Sequence, residues 1–345
     1  MSDQTVIVSA LAREAAEAPA AARRQIERHR EAFARLGARL RESPPRFVVT
    51  CARGSSDHAA SYGKYLIESV IGTVVASVGP SVSSLYQARL DLKDCLFIAV
   101  SQSGRSPDVL SAVQNAKESG ALVLGFVNDE ASPLAALCDM CLPLCAGPEI
   151  SVAATKSFIL SGLAFLSLAA HWSQSPVLLS AVDGFADHLD AATRLDWWPV
   201  LDSLVLARNL FVIGRGYGLG AAQEMALKFK ETCRLHGEAF SAAEVFHGPL
   251  ALVGPECPVL ALGQDDPSAA TTRDAVARIA DLGGIVWSVL DVAGARRLPS
   301  VAGAPPVTAP LLELQSFYVA LPRLISARGL PADQPANLKK VTETL

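Results

Sequence analysis

The feature that most constrains this chain is an internal repeat. NLFVIGRGYGLGAAQEMALKFKE follows the outline of RFVVTCARGSSDHAASYGKYLIE: an apolar strand, an Arg-Gly turn and a helix. PVLALGQDDPSAATTRDAVARIADLGGIVWSVLD then follows LFIAVSQSGRSPDVLSAVQNAKESGALVLGFVN almost position for position in pattern. A duplication of this length implies two similar domains, expected at about 46–180 and 196–325. Within each copy, apolar runs of about four to seven residues alternate with helical segments. Such runs are the mark of a parallel sheet buried on both faces, so the fold class is α/β.

The remaining segments are placed around that repeat. Residues 1–45 form an N-terminal segment whose Ala-, Arg- and Glu-rich part reads as helix, divided near Pro19 because proline cannot continue a helix interior. A mostly helical connection through Trp197 and Trp198 joins the two copies, and residues 331–345 form a polar C-terminal tail. The longest apolar stretch, Phe158 to Ala170, contains serines and a glycine. It falls short of the ~20 residues of a membrane span and reads as a buried helix. MCLPLC is expected to be a strand.

Composition excludes several functions. The 345 residues are half apolar, 19% charged and 6% aromatic, with a net charge of −4. No basic stripe interleaved with aromatics is present, so nucleic-acid binding is not expected. The N-terminus lacks the charged-then-apolar pattern of a signal peptide, so a cytoplasmic location with free thiols is expected for the seven cysteines. Cys138, Cys141 and Cys145 have no nearby His or fourth Cys to complete a tetrahedral set, so no metal is expected.

Ligands of doubly wound sheets bind beyond the carboxyl ends of the strands. There, Ser101, Gln102, Ser103, Gly104, Arg105 and Ser106 open a helix. The hydroxyls of Ser101, Ser103 and Ser106, the amide of Gln102 and the positive end of the helix suit a phosphate. An ordinary serine N-cap would need fewer donors. Gly54, Ser55 and Ser56 end the preceding strand and can add more. The second copy carries Asp265 and Asp266 in the matching loop, which would repel anions. It also has a denser set of acids and bases: Glu224, Lys228, Glu231, His236, Glu238, Glu244 and His247. Glu224, Lys228 and Glu231 share one helical face. Taken alone, that helix reads as a solvated ion-paired surface, while HGPLAL reads as a turn that enters a strand and presents a histidine for proton transfer. A phosphate cradle with a carboxylate, a histidine and a lysine suits aldose–ketose chemistry.

ARGSS, SQSGRSPD, AGPEISVAATKSF, GRGYGLGAAQEMALKFKE, EVFHGPLAL and DQPANLKKV together resemble the sugar isomerase (SIS) domains of the glucosamine-6-phosphate synthase family. The resemblance runs from about residue 10 to the end. It implies two tandem SIS domains, each a flavodoxin-like parallel sheet flanked by helices. It implies that Ser56, Ser101, Gln102, Ser103 and Ser106 hold a 6-phosphate and that Val152 touches the sugar through its backbone. Glu231 would carry the proton between C1 and C2, supported by Lys228. His247 would assist ring opening from the neighbouring subunit of a homodimer, and Lys340 would form a Schiff base with the keto sugar. No cofactor is implied.

Two departures from the synthase pattern bear on activity. Met1-Ser2-Asp3 leads into the helical preface without a glutaminase nucleophile, and Arg53 stands where the synthase usually has Cys, as in the stand-alone deaminase branch. The expected activity is an isomerising glucosamine-6-phosphate deaminase. The alternatives are a sugar-phosphate deglycase, a galactosamine-6-phosphate deaminase/isomerase, and a non-catalytic sugar-phosphate sensor.

Overall fold

Residues 9–340 are described by the computed structural model of the chain. Two helices lead: α1 (Ala10–Ala16) and α2 (Ala18–Glu42). They meet at Glu17, and Pro19 lies in the first turn of α2, where its missing N–H costs no intrahelical bond.

The first copy then runs β1 (Val48–Cys51), α3 (Ser55–Leu66), β2 (Val75–Ser77), α4 (Ser81–Ser84), β3 (Leu96–Ser101), α5 (Pro107–Glu118), β4 (Leu122–Val127), α6 (Pro133–Leu137) and β5 (Met140–Cys141). MCLPLC supplies only the two residues of β5. Pro143, which has no N–H to give to a ladder, follows within two residues. The connection consists of α7 (Lys156–Ser173), α8 (Pro176–Asp183), α9 (Phe185–Ala192) and α10 (Trp198–Asp202). The second copy runs β6 (Asn209–Gly214), α11 (Gly218–Cys233), β7 (His236–Ser241), β8 (Val259–Ala261), α12 (Ala269–Asp281), β9 (Val286–Ser288), β10 (Arg296–Arg297) and α13 (Ala309–Ala327).

Both sheets are parallel and have the same strand order. The first is β2-β1-β3-β4-β5 and the second, read from its other edge, is β7-β6-β8-β9-β10. This is the flavodoxin-like order, in which the chain reverses its direction of travel between the first and third strands of each copy. The central strands β1 and β3 are buried throughout, as sheets covered on both faces require.

One apolar core joins the facing sides of the two sheets. It contains Leu96 and Ile98 from β3 and Leu210 and Val212 from β6, with α7, α11 and α13 between them. Smaller cores lie on the outer faces, one under α5 and one under α12. The Phe158–Ala170 stretch is the middle of α7 and is buried on nearly every side. No helix among the described residues is long and apolar enough to cross a membrane.

At the seam between the copies, α3 packs directly on α11. Gly220 makes this approach possible: a Cβ there would stand 2.4 Å from the His58 carbonyl oxygen. The pairing brings the first turns of α3 beside the acidic face of α11.

Candidate functional site

The loops after β1 and β3 face one another across the point where the first sheet reverses its strand order. Between them lies a cleft of about 560 Å³ lined by Gly54, Ser55, Ser56, Ser101, Gln102, Ser103 and Ser106. Val152, Ala154 and Lys340 close its far side. Two helix N-termini, those of α3 and α5, open toward this space and favour an anion. Ser106 occupies the N-cap position of α5, yet its hydroxyl makes no capping bond and remains open to a ligand.

The backbone of the serine loop is held from within. Ser101 Oγ accepts from the Gly104 N–H at 2.9 Å, and Ser103 Oγ lies 3.4 Å from the Arg105 N–H. Gly104 has φ +63°, and a Cβ there would fall 2.1 Å from Ser132 Oγ, so only glycine fits this turn. The Arg105 side chain turns away to Asp129 at 2.9 Å. Arg53 lines the cleft and grips the buried Asp108 through Nε at 2.9 Å and Nη2 at 2.5 Å.

The second copy contributes the ionic centre. Lys228 is fully buried and lies between Glu224, at 3.3 Å, and Glu231, which it contacts directly. Its Nζ also donates to Ser55 Oγ at 3.2 Å, joining this centre to the serine cleft. Glu231 lines a neighbouring cavity of about 450 Å³ that continues under Asn337 and Leu338 of the tail. The face carrying Glu224 and Lys228 is therefore buried against α3, in contrast to the solvated surface expected from α11 alone.

Burial disfavours the charged form of Lys228, but the two flanking carboxylates outweigh it and its pKa is raised. Burial likewise works against ionised Glu224. Lys228, His58 and Tyr318 overcome that effect, so its pKa is lowered. Glu224 Oε2 faces His58 Nδ1 at 3.1 Å, and Glu224 Oε1 accepts from the Tyr318 hydroxyl at 2.9 Å. His58 and Tyr318 escaped the sequence reading. Their contacts with Glu224 span 166 and 94 positions, and no local spacing announces such a contact.

Lys340 reaches the cleft from the tail. Its Nζ donates to the Ser151 carbonyl at 2.7 Å and lies 3.8 Å from Glu149. Burial lowers its pKa, against the pull of Glu149 and Glu14. The tail is anchored nearby by Asp333, whose carboxylate accepts from the Ala10 and Leu11 N–H groups at 2.9 Å each. The Asp333 carbonyl accepts from the Val152 N–H at 3.1 Å. The last five residues of the 331–345 segment lie outside the described residues, as do the first eight of the chain.

His247 stands apart. It ends the 3₁₀ turn Glu244–His247 and is exposed, and it does not line the serine cleft. HGPLAL continues into a second 3₁₀ turn, Pro249–Leu252, where a strand was expected. The strand of this region is β7, which precedes the turn and contains His236 and Glu238, both exposed. In the second copy, the loop matching SQSGRS is engaged with itself. Asp266 accepts from the Ser268 N–H at 2.8 Å, and Gln264 Nε2 donates to Arg215 O and Ser268 Oγ, each at 2.9 Å. No group of three or more His, Cys, Asp or Glu placed to hold a metal ion occurs among the described residues.

Comparison with known proteins agrees with this architecture. The SIS domain family model matches residues 43–171 and 203–294. An isomerizing glutamine–fructose-6-phosphate aminotransferase from Symbiobacterium thermophilum is 33% identical over 324 residues, covering 86% of this chain and 51% of that protein. The chain spans about half the length of the curated relatives it matches. A solved structure from Silicibacter pomeroyi DSS-3, provisionally described as a phosphosugar isomerase, superposes with TM-score 0.90 at 42% identity, covering 94% of this chain and all of the other. A glucosamine-6-phosphate deaminase from Thermotoga maritima shares the fold, with TM-score 0.75 at 22% identity over 97% of this chain and all of its own.

Proposed function

Because this chain belongs to the SIS domain family, we propose that it is an isomerising glucosamine-6-phosphate deaminase, converting glucosamine 6-phosphate and water to fructose 6-phosphate and ammonia. One observation carries the reading: buried Lys228 bonds both to Glu231 and to Ser55 at the edge of the serine cleft. A phosphate seated among Ser56, Ser101, Gln102, Ser103 and Ser106 would leave the sugar's other end toward Glu231, beneath Lys340.

In this reading the phosphate binds through hydroxyl and backbone donors and two helix N-termini, without a metal. His247, supplied by a second copy of the chain, assists opening of the pyranose ring. Its exposure in its own protomer is consistent with that role. Glu231 then removes the C2 proton and returns it to C1, while O1 gains a proton and the nitrogen gives one up; the double bond moves from C1–O1 to C2–N and yields the imine of fructose 6-phosphate. The Lys228 ammonium, in direct contact with the Glu231 carboxylate, keeps it oriented for the first transfer. Water adds to the imine carbon, and ammonia leaves. The lowered pKa of Lys340 gives it more neutral amine than an exposed lysine has, and a neutral amine is what exchange onto that carbon as a Schiff base requires.

The test is ammonia release from glucosamine 6-phosphate with fructose 6-phosphate measured in parallel. Equal appearance of the two is expected, and Glu231→Gln should lose about a hundred- to ten-thousand-fold in turnover while still binding the sugar phosphate. Ligand binding without ammonia release would sink the deaminase reading. Turnover of a sugar phosphate joined to an amino acid would then point to a deglycase, and turnover of the galactosamine isomer to different C4 specificity. Function retained by Glu231→Gln would point to a sensor.

A further inference from the structure

The second sheet has its own cavity, separate from the serine cleft. It measures about 410 Å³ and lies beyond the carboxyl ends of β8 and β9, the end of a parallel sheet where ligands gather. Glu313, from the second turn of α13, forms part of its wall and is 2% exposed. Neither of its carboxyl oxygens has a hydrogen-bond partner among the described residues. A buried acid left in this state is destabilising unless something completes it, and native folds leave few such groups.

The rest of the lining indicates what could complete it. Arg273 and Arg297 are exposed lining residues, as are Asp265 and Asp291. None of these four side chains makes an ion pair or hydrogen bond among the described residues. Charges of both signs thus stand unpaired toward solvent, and an acid stands unpaired in the interior. A simple anion would satisfy the arginines and leave Glu313 unchanged. A simple cation would do the reverse.

We propose that this cavity is a second ligand site, taking a small zwitterion whose ammonium reaches Glu313 and whose anionic group meets Arg273 and Arg297. Amino-sugar phosphates and free amino acids share that chemistry. The site does not depend on the deaminase reading, because it shares no residue with the serine cleft. Burial holds the Glu313 carboxyl well above its ordinary pKa, and the nearby Gly263 N–H pulls the other way without reversing this. An incoming ammonium would reverse that preference and expel the carboxyl proton into the buffer.

Calorimetry on the full chain carrying Glu231→Gln, which keeps an amino sugar phosphate from being consumed, tests this. Glucosamine 6-phosphate should show two binding events per chain, and fructose 6-phosphate, lacking the ammonium, only one. Glu313→Gln should abolish the second event together with its proton release, read by repeating the titration in buffers of different ionisation enthalpy. Arg297→Ser, a change at an exposed position that should leave folding intact, should weaken the second event at least about tenfold, as loss of a charge-assisted contact would. Ser103→Ala should affect only the first event. Competition by L-glutamate for the second event would assign the site to amino acids, and failure to compete would assign it to amino-sugar phosphates. A single event with every probe, or a second event indifferent to both Glu313→Gln and Arg297→Ser, would overturn the proposal.

Discussion

Lys228 keeps its charge without solvent because Glu224 and Glu231 flank it and Ser55 Oγ accepts a hydrogen bond from it. Such a pair is worth little against an apolar substitute, but breaking it is costly because a buried charge is left behind. The two shifts define its working range. The depressed pKa of Glu224 means that its contribution is present above the unfolded value near 4.5 and is lost as pH falls through the folded value. The raised pKa of Lys228 means that its contribution is present below 10.5 and is lost only as pH climbs through the higher folded value. Glu224→Gln should therefore destabilise the protein at pH 7 by about 3 kcal/mol, the low end for a broken buried pair because Glu231 still partners Lys228. The gap from wild type should narrow below pH 4, and denaturant unfolding at the two pH values checks this. Glu224, Lys228 and Glu231 could be placed on one face from their spacing alone, but their burial could not. It depends on α3, a partner more than 150 residues away in the chain.

At the scale of elements, the serine loops were legible because their signals are local. Gly and Ser between an apolar run and a helical run mark a strand–turn–helix unit wherever they occur. From composition the tail was legible only as a polar segment, and Lys340 was picked out by the family resemblance alone. Its docking depends on Asp333, which caps the first turn of α1 and bonds Val152 through its carbonyl, thereby bringing Lys340 over the cleft. Asp333→Ala removes two N–H acceptors at the positive end of a helix, a loss of about 1 kcal/mol. The larger expected effect is on the tail: a several-fold rise in KM for the sugar phosphate with a smaller change in kcat, measured by steady-state kinetics. β7 went unread because its residues do not give the buried apolar run of an interior strand. It lies at the sheet edge and carries polar groups where it meets solvent. Expecting HGPLAL to enter a strand followed from the same omission.

For the whole molecule, the two copies behave as one body because α3 and α11 pack without room for a side chain at Gly220. Gly220→Ala inserts a methyl 2.4 Å from the His58 carbonyl oxygen, so the helices must separate. Overpacking of this kind costs about 1–3 kcal/mol. Since His58 faces Glu224 across the same seam, turnover should fall along with the melting temperature. Ala221→Gly, one position along, gives up helix propensity and a buried methyl without pushing the helices apart, and is expected to cost about 2 kcal/mol with little change in turnover. The amino-acid sequence by itself determined the duplicated α/β architecture, the parallel sheets and the serine-rich strand ends, because periodicity and turn chemistry act between near neighbours. Only the tertiary structure decided that the acidic face of α11 is interior and linked to the cleft, and that a solitary Glu313 in an apolar helix faces a cavity. Those outcomes depend on which surfaces exclude water from each other, and that is settled by contacts between residues far apart in the chain.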